Sequence, residues 1–132
     1  MIRIVATKRP LSEMYEIGCR FHCELFRGLI PSIFLLDTGA DKTTIIAERY
    51  NIDITTLERS SNALTAAGVT PTYAVRDAII VFTTTADIPH PEYLDSVDVI
   101  SLPDAPFHGI LGMDILGRFR WKRDKYTWVL EK

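Results

Sequence analysis

Apolar and polar positions alternate with a period of two through most of the chain, the spacing of strands that bury one face. Ile2 to Ala6 follows this pattern, and so does Glu16 to Leu25, where Ile17, Cys19, Phe21, Cys23 and Leu25 share a face. After an Arg27-Gly28 turn, the apolar run Leu29 to Leu36, interrupted by Pro31, predicts a buried strand that stops at Asp37-Thr38-Gly39. Thr43 to Ile46 predicts another strand, Ala47 to Asn51 a short helix and Asp53 to Ser61 a polar connection. Asn62 to Asp77 forms two extended arms around Ala66-Ala67-Gly68, a hairpin pattern in which Pro71 weakens one arm. Ala78 to Thr84 predicts a β-branched strand, the proline-rich Ala86 to Tyr93 a loop, Val97 to Leu102 a short strand and Pro103 to Phe107 a further loop. His108-Gly109-Ile110-Leu111-Gly112 leads into a short helix over Met113 to Phe119, with Asp114 placed to cap it. Arg120 to Arg123 and Tyr126 to Leu130 close as a hairpin over Asp124-Lys125. With no linker, low-complexity tract or whole-domain repeat, residues 1–132 are expected to form a single all-β domain.

Composition narrows the class. Of the 132 residues 47% are hydrophobic and 24% charged, which fits a folded globular chain and excludes disorder as its main state. No apolar run is long enough to span a bilayer, and the N-terminal segment, with Arg3, Lys8, Arg9 and Glu13, lacks a signal-peptide core, so a soluble cytoplasmic protein is expected. The formal charge of −2 gives no overall footprint for nucleic acid or an anionic membrane, and neither is expected as a partner.

Cys19 and Cys23 are the only cysteines. On one strand face they stand about 13 Å apart, too far for a disulfide, and are expected as buried thiols. The strand sends His22 to the other face and no fourth ligand is near, so neither zinc nor any other cofactor is expected.

Asp37-Thr38-Gly39 taken alone is an ordinary turn sequence. Within Leu35-Leu36-Asp37-Thr38-Gly39-Ala40-Asp41-Lys42-Thr43, however, a carboxylate follows a run of large apolar residues that carries it into a low-dielectric setting, with Gly39 allowing close backbone approach and Thr38 offering a hydroxyl to brace the loop. The extended motif resembles the catalytic signature of the retropepsins, the retroviral-type aspartic proteases. Gly109-Ile110-Leu111-Gly112-Met113-Asp114 follows in the family's order and resembles its apolar-apolar-Gly segment and the helix after it. Between them, Thr65-Ala66-Ala67-Gly68-Val69 resembles a flap tip.

The resemblance implies a single-lobed, closed β-barrel with one or two short helices, acting as a dimer. It implies Asp37 as the catalytic residue, Thr38 and Gly39 as catalytic-loop support, and Ala40, Asp41, Ala66, Ala67, Gly68, Ile110 and Leu111 as residues that contact or frame a peptide substrate. Peptide hydrolysis of this kind needs a base to activate water and an acid for the scissile carbonyl, and two close carboxylates sharing one proton meet both needs. Only one Asp-Thr-Gly is present. The second carboxylate is therefore expected from another copy, in a C2 homodimer with Thr38 bonding across the axis. Viral members commonly carry Arg where Met113 stands, paired with the acid at Asp41. Its absence here favours a non-viral member. The chain is also longer than a compact viral enzyme, with the excess assigned to the 86–93 loop and the C-terminal hairpin.

Several features have plainer readings. Asp41 reads as a turn acid, Asp114 as a helix cap, and His90 and His108 as loop histidines outside the chemistry. The segment Arg118-Phe119-Arg120-Trp121-Lys122-Arg123 interleaves basic and aromatic residues as single-strand nucleic-acid binders do. Strand alternation instead puts Phe119 and Trp121 on a packed face and the basic residues in solvent. The alternative to an aspartic endopeptidase is a dimeric peptide-binding or assembly module of the same fold with little or no hydrolysis.

Overall fold

Burial follows the alternation most regularly in Tyr15–His22, where Tyr15, Ile17, Cys19 and Phe21 point into the core and Gly18 and Arg20 lie in solvent. The computed structural model describes residues 1–65 and 68–132, and side chains outside 61–67. Its strands are β1 (Arg3–Lys8), β2 (Tyr15–His22), β3 (Ile30–Leu36), β4 (Thr44–Ile46), β5 (Glu58–Thr65), β6 (Gly68–Thr83), β7 (Pro89–Ile100), β8 (Gly109–Leu111), β9 (Arg120–Arg123) and β10 (Thr127–Glu131), with 3-10 turns over Ala47–Tyr50 and Ile54–Thr56 and an α-helical turn, α1 (Met113–Leu116), after β8. No helix among the described residues is long and apolar enough to cross a membrane.

Pairing closes a barrel. β2, β3, β8, β4, β7 and β6 hydrogen-bond in that order, and β6 returns to β2 through Arg20↔Val81, Phe21↔Ile80 and His22↔Ile79. The other end of β2 pairs with β1, from which β10 and β9 continue as an arm, while among the described residues β5 pairs only with β6. Phe21, Phe34, Phe82, Ile45, Ile80 and Leu111 fill the barrel with no exposed surface. Phe21 packs against Phe26, Phe34 and Tyr50, and the Tyr50 hydroxyl shares a 2.6 Å hydrogen bond with Ser32 Oγ inside the core. Cys19 and Cys23 are buried free thiols, as expected, and burial pushes Cys19 up to about 12.

The structure corrects several boundaries, mostly at prolines. Of residues 86–93 only 86–88 lie in a turn: β7 starts at Pro89 and runs unbroken to Ile100, and it pairs with β6 from Thr83↔Pro89 to Tyr73↔Val99. A proline lacks the amide hydrogen needed by a central ladder but is tolerated on an open edge. β7 meets β4 only from Asp98 onward, so Pro89 and Pro91 lie where β6 is its one neighbour. Pro31 is accommodated similarly, because β3 meets β8 only from Phe34. Ala78–Thr84 is the second half of β6 rather than a separate strand, and the predicted break coincides with Asp77 at φ 57. The segment read as polar connection contains a 3-10 turn over Ile54–Thr56, capped by Asp53 at Thr55 N, and then the start of β5. The helix after β8 is one turn, Met113–Leu116, not an element reaching Phe119. Phe119 is buried as predicted, whereas Trp121 and the rest of β9 are exposed.

His90 lies on β7, not in a loop, and hydrogen-bonds Glu92. Glu92 is only 4% exposed and also bonds Arg118 Nη1 at 3.0 Å and Lys132 Nζ at 2.8 Å. This cluster ties β7 to the segment after α1 and to the C-terminal residue. Burial alone would raise the Glu92 carboxyl, but hydrogen bonds from Lys132, Arg118 and His90 outweigh it and hold the group below its ordinary 4.5. A carboxylate held low contributes stability that is present above its unfolded value and lost as pH falls through the folded one. Glu92→Gln is therefore expected to destabilise the fold by about 2 kcal/mol at neutral pH. In urea melts, the gap from wild type should narrow as pH is lowered from 6 towards 3; a gap independent of pH would show that the ionised carboxylate is not what stabilises the cluster.

Candidate active site

The site follows from one topological feature. β3 and β4 are consecutive in sequence, yet β8 lies between them, parallel to β3 through Phe34↔Gly109 and Leu36↔Leu111 and antiparallel to β4 through Thr44↔Ile110 and Ile45↔Gly109. The connecting segment 37–43 must therefore cross a gap of about 10 Å over the end of β8. Asp37-Thr38-Gly39-Ala40-Asp41 forms that crossing, and its polarity is suited to a segment leaving the core at the end of an apolar strand.

Asp37 continues the β3–β8 pairing: its N–H donates to the Leu111 carbonyl at 3.1 Å, and its own carbonyl accepts from Ala40 N at 3.2 Å in a tight turn. Its Oδ1 accepts from Gly39 N at 2.8 Å, and its Oδ2 has no hydrogen bond among the described residues. A Cβ on Gly39 would lie 3.2 Å from Asp37 Oδ1, so glycine keeps the approach open. Asp37 is half-buried, whereas Thr38, Gly39 and Asp41 are exposed and Ala40 is half-buried. Of the β8 residues singled out in the sequence, Ile110 is half-exposed and Leu111 is fully buried in the barrel core. Gly68, at φ 104, follows Ala66 and Ala67, which lie outside the described residues.

The far side of the loop is held by residues whose part the sequence reading missed. Asp114 does not cap α1; Gly112 occupies that position and no side chain caps the turn. The Asp114 carboxylate accepts instead from Thr43 N, at 3.0 and 2.9 Å to its two oxygens, and from Thr43 Oγ1 at 2.7 Å. Thr43 Oγ1 in turn accepts from Gly112 N at 3.1 Å. Backbone bonds from Met113 N to Ala40 O, 2.8 Å, and from Asp114 N to Asp41 O, 3.1 Å, complete the attachment. Gly112 is required by this closeness, because a Cβ there would stand 2.5 Å from Lys42 C and 2.8 Å from Ala40 O. Thr43 is completely buried, and the one sequence signal of the clamp is its hydroxyl side chain at the junction of the polar loop and an apolar strand.

Asp98 on β7 also stands beside this loop. Burial raises its carboxyl and Asp114 adds to the rise, while the Lys42 charge and a hydrogen bond from Ser60 oppose it; the net direction is upward. His108, just before β8, accepts from Ile33 N through Nδ1 at 3.1 Å, and burial together with Arg49 holds it below its ordinary value. Among the described residues neither His90 nor His108 hydrogen-bonds Asp37. A cavity of about 650 Å³, lined among others by Glu24, Glu58, Arg76 and Asp95, does not contain Asp37. Among the described residues no group of three or more His, Cys, Asp or Glu is placed to hold a metal.

The clamp is directly testable. Thr43→Val removes the donor to Asp114 and the acceptor for Gly112 N at a buried position, so it is expected to cost about 1–3 kcal/mol. Thr43→Ser retains both bonds and should recover most of that loss in denaturant melts. Equal loss in the two variants would mean that the methyl group's packing, and not the hydroxyl, holds the loop.

No protein-family model matches the sequence, and the search of curated proteins finds no match. Solved structures do match. A retropepsin-like aspartic protease from Rickettsia conorii is 20% identical, with a TM-score of 0.60 over 97% of this chain and 89% of that one. The retroviral protease-like domain of Ddi1 from Leishmania major is 16% identical, with a TM-score of 0.44 over 83% of this chain and 81% of that one. The six-strand ring, the insertion of β8 beside β3 and the similarity along nearly the whole chain agree on one architecture. The chain has the retropepsin-like fold, a single-lobed all-β barrel.

Proposed function

We propose that the chain is an aspartic endopeptidase that hydrolyses extended peptides with water activated between two Asp37 carboxylates, one from each chain of a C2 homodimer. The observation that carries this reading is the state of Asp37: its backbone is fixed to β8, Oδ1 is held by Gly39 N, and Oδ2 is left for another group. The retropepsin-like fold adds to it.

In the proposed reaction one carboxylate takes a proton from water as the oxygen attacks the scissile carbonyl carbon, while the other gives its proton to the carbonyl oxygen. Collapse of the tetrahedral species breaks the C–N bond, with the proton passing to the amine. Facing carboxylates suit both roles because repulsion keeps one of them protonated. A chain with one Asp-Thr-Gly supplies half of that pair, and two-fold symmetry supplies the other half. Thr38, exposed next to Asp37, would bond its mate across the axis. The β5–β6 hairpin, with Gly68 at its turn, would cover the bound peptide as a flap, and Ala40 and Asp41 would meet the peptide backbone.

Asp37→Asn keeps the side chain's shape but removes the base, and it is expected to lower peptide hydrolysis by at least about 10³-fold with the melting curve little changed. When wild type is re-equilibrated with an equal amount of Asp37→Ala chains, about a quarter of the dimers should carry two carboxylates, and activity should fall to that share of all dimers. Activity proportional to the wild-type chains would place the second acid within one chain. Cleavage should follow a bell in pH whose limbs belong to the pair. Binding of peptides without cleavage at any pH would favour the assembly-module reading instead.

A further inference from the structure

A carboxyl that the proposed reaction does not use stands where the site loop and the β5–β6 hairpin meet. Asp98 lies at the point of β7 where that strand gains its second neighbour. It pairs with Ala74 of β6 on one side and Thr44 of β4 on the other, and its N–H donates to the Thr43 carbonyl at 3.1 Å. Val97 and Val99 are buried in the barrel, so alternation sends the Asp98 side chain to the opposite face, where it is half-buried beside Lys42 and Asp114.

β5 reaches the same carboxyl by way of an irregularity. It pairs with β6 at Arg59↔Tyr73 and again from Ser61↔Thr72 onward, and the register shift between the two leaves Ser60 as an extra residue. A bulge of this kind re-aims a side chain. Here it turns the Ser60 hydroxyl over β6, where it shares a 2.7 Å hydrogen bond with Oγ1 of the buried Thr72 and donates to Asp98. Ala74 stands between Glu58 of β5 and Asp98 in the pairing, and its single methyl leaves room for hydroxyl and carboxyl to meet. The base of the hairpin is thus attached to the strand that also holds the end of the site loop.

The surroundings favour the two states of Asp98 unequally. Burial is the largest influence and opposes ionisation, and Asp114 on α1 adds to it. Lys42 on the loop and the Ser60 hydrogen bond favour the ion, Ser60 least of all, and the net result holds the carboxyl above its ordinary 3.8. β4 and β6 place only the uncharged Thr44 and Ala74 opposite it. Glu58 and Arg59 on β5 and Arg76 on β6 are near in the register and exposed. Lifting the hairpin removes both cover and the Ser60 bond. Because burial outweighs that bond, the open hairpin binds the proton less tightly than the closed one, and by linkage the proton favours closure.

We propose that Asp98 is a positioning residue whose protonated carboxyl fastens the base of the β5–β6 hairpin to the site loop through Ser60, and whose ionisation releases that base. Protonated, it keeps a hydrogen bond with Ser60 and no longer repels Asp114; ionised, it is a charge held against burial and against Asp114. That the hairpin closes over a peptide rests on the proposed function. The response of its base to Asp98 does not.

The test reads the hairpin itself by hydrogen exchange, in the full chain carrying Asp37→Asn so that the proposed pair does not titrate. Protection factors of residues 58–60 and 72–74, taken relative to those of Tyr15–His22, should fall at least about threefold from about pH 4 to about pH 7. Adding Asp98→Asn, which keeps the shape without the charge, should hold protection at the acid level throughout. Adding Ser60→Ala, at an exposed position, should hold it at the neutral level. Lys42→Gln removes the cation that favours the ion and should move the fall to higher pH. With Asp37 intact, KM for a cleaved peptide should rise with pH by a similar factor in wild type and stay level in Asp98→Asn, while the two share one kcat profile. Protection that does not change with pH, a fall of equal size with and without Asp98→Asn, or a fall that Ser60→Ala leaves in place would each overturn the proposal. Exchange as expected in a protein that cleaves no peptide would overturn the proposed function and leave the fastening of the hairpin supported.

Discussion

Insertion of β8 between β3 and β4 is the constraint on which the remainder of the molecule depends. It forces the segment between two sequence neighbours to arch over a third strand, and the side of that crossing packed on the barrel end has to satisfy its backbone groups within the protein. The solution is local and dense: Asp37 N bonds to β8, Ala40 O and Asp41 O accept from the turn after it, and Thr43 and Asp114 tie the loop's end to α1. Glycine at 112 is the condition for this, since any side chain there would meet the Lys42 and Ala40 backbone below contact distance. Gly109 is equally confined, because a Cβ would lie 2.6 Å from Thr44 O and 2.7 Å from the Phe34 ring.

Holding the loop in this way fixes a carboxylate without surrounding it. Asp37 receives one hydrogen bond from its own turn, and the exposed Thr38 and Gly39 leave its outer side open. In the proposed function this carboxylate is half of an acid–base device. The proposed dimer completes it by symmetry, so that the same loop geometry serves as base support in one chain and acid support in the other. Meanwhile the other end of the structure is organised by charge. Buried Glu92 and Glu131 gather Arg118, Lys132, Arg3 and Lys122 around the sheet arm, and β9 is left as its cationic border.

Much of the fold was legible because alternation reports burial directly. Tyr15–His22 and Ile30–Leu36 fall within a few residues of their predicted spans, and the hairpin around residues 66–68 pairs as expected through Thr65↔Gly68. The long β7 was missed because Pro89 and Pro91 signal a loop wherever both strand edges are assumed to be paired, and edge occupancy is a tertiary fact. The loop's sequence marked Asp37 through its motif. It could not mark Asp114 as the partner of Thr43, since that contact spans the whole intervening chain and exists only once β8 is inserted. An aspartate at the start of a helix is more often a cap, and here backbone geometry gave that place to Gly112.

The central claim, that catalysis is assembled from two copies of one carboxylate, is tested most directly by a crystal structure of the chain at a pH where it cleaves peptide. The account predicts a two-fold dimer in which the Asp37 carboxylates face each other about 3 Å apart, as a proton-sharing pair requires. A monomer, or a dimer whose Asp37 side chains stand too far apart to share a proton, would contradict it.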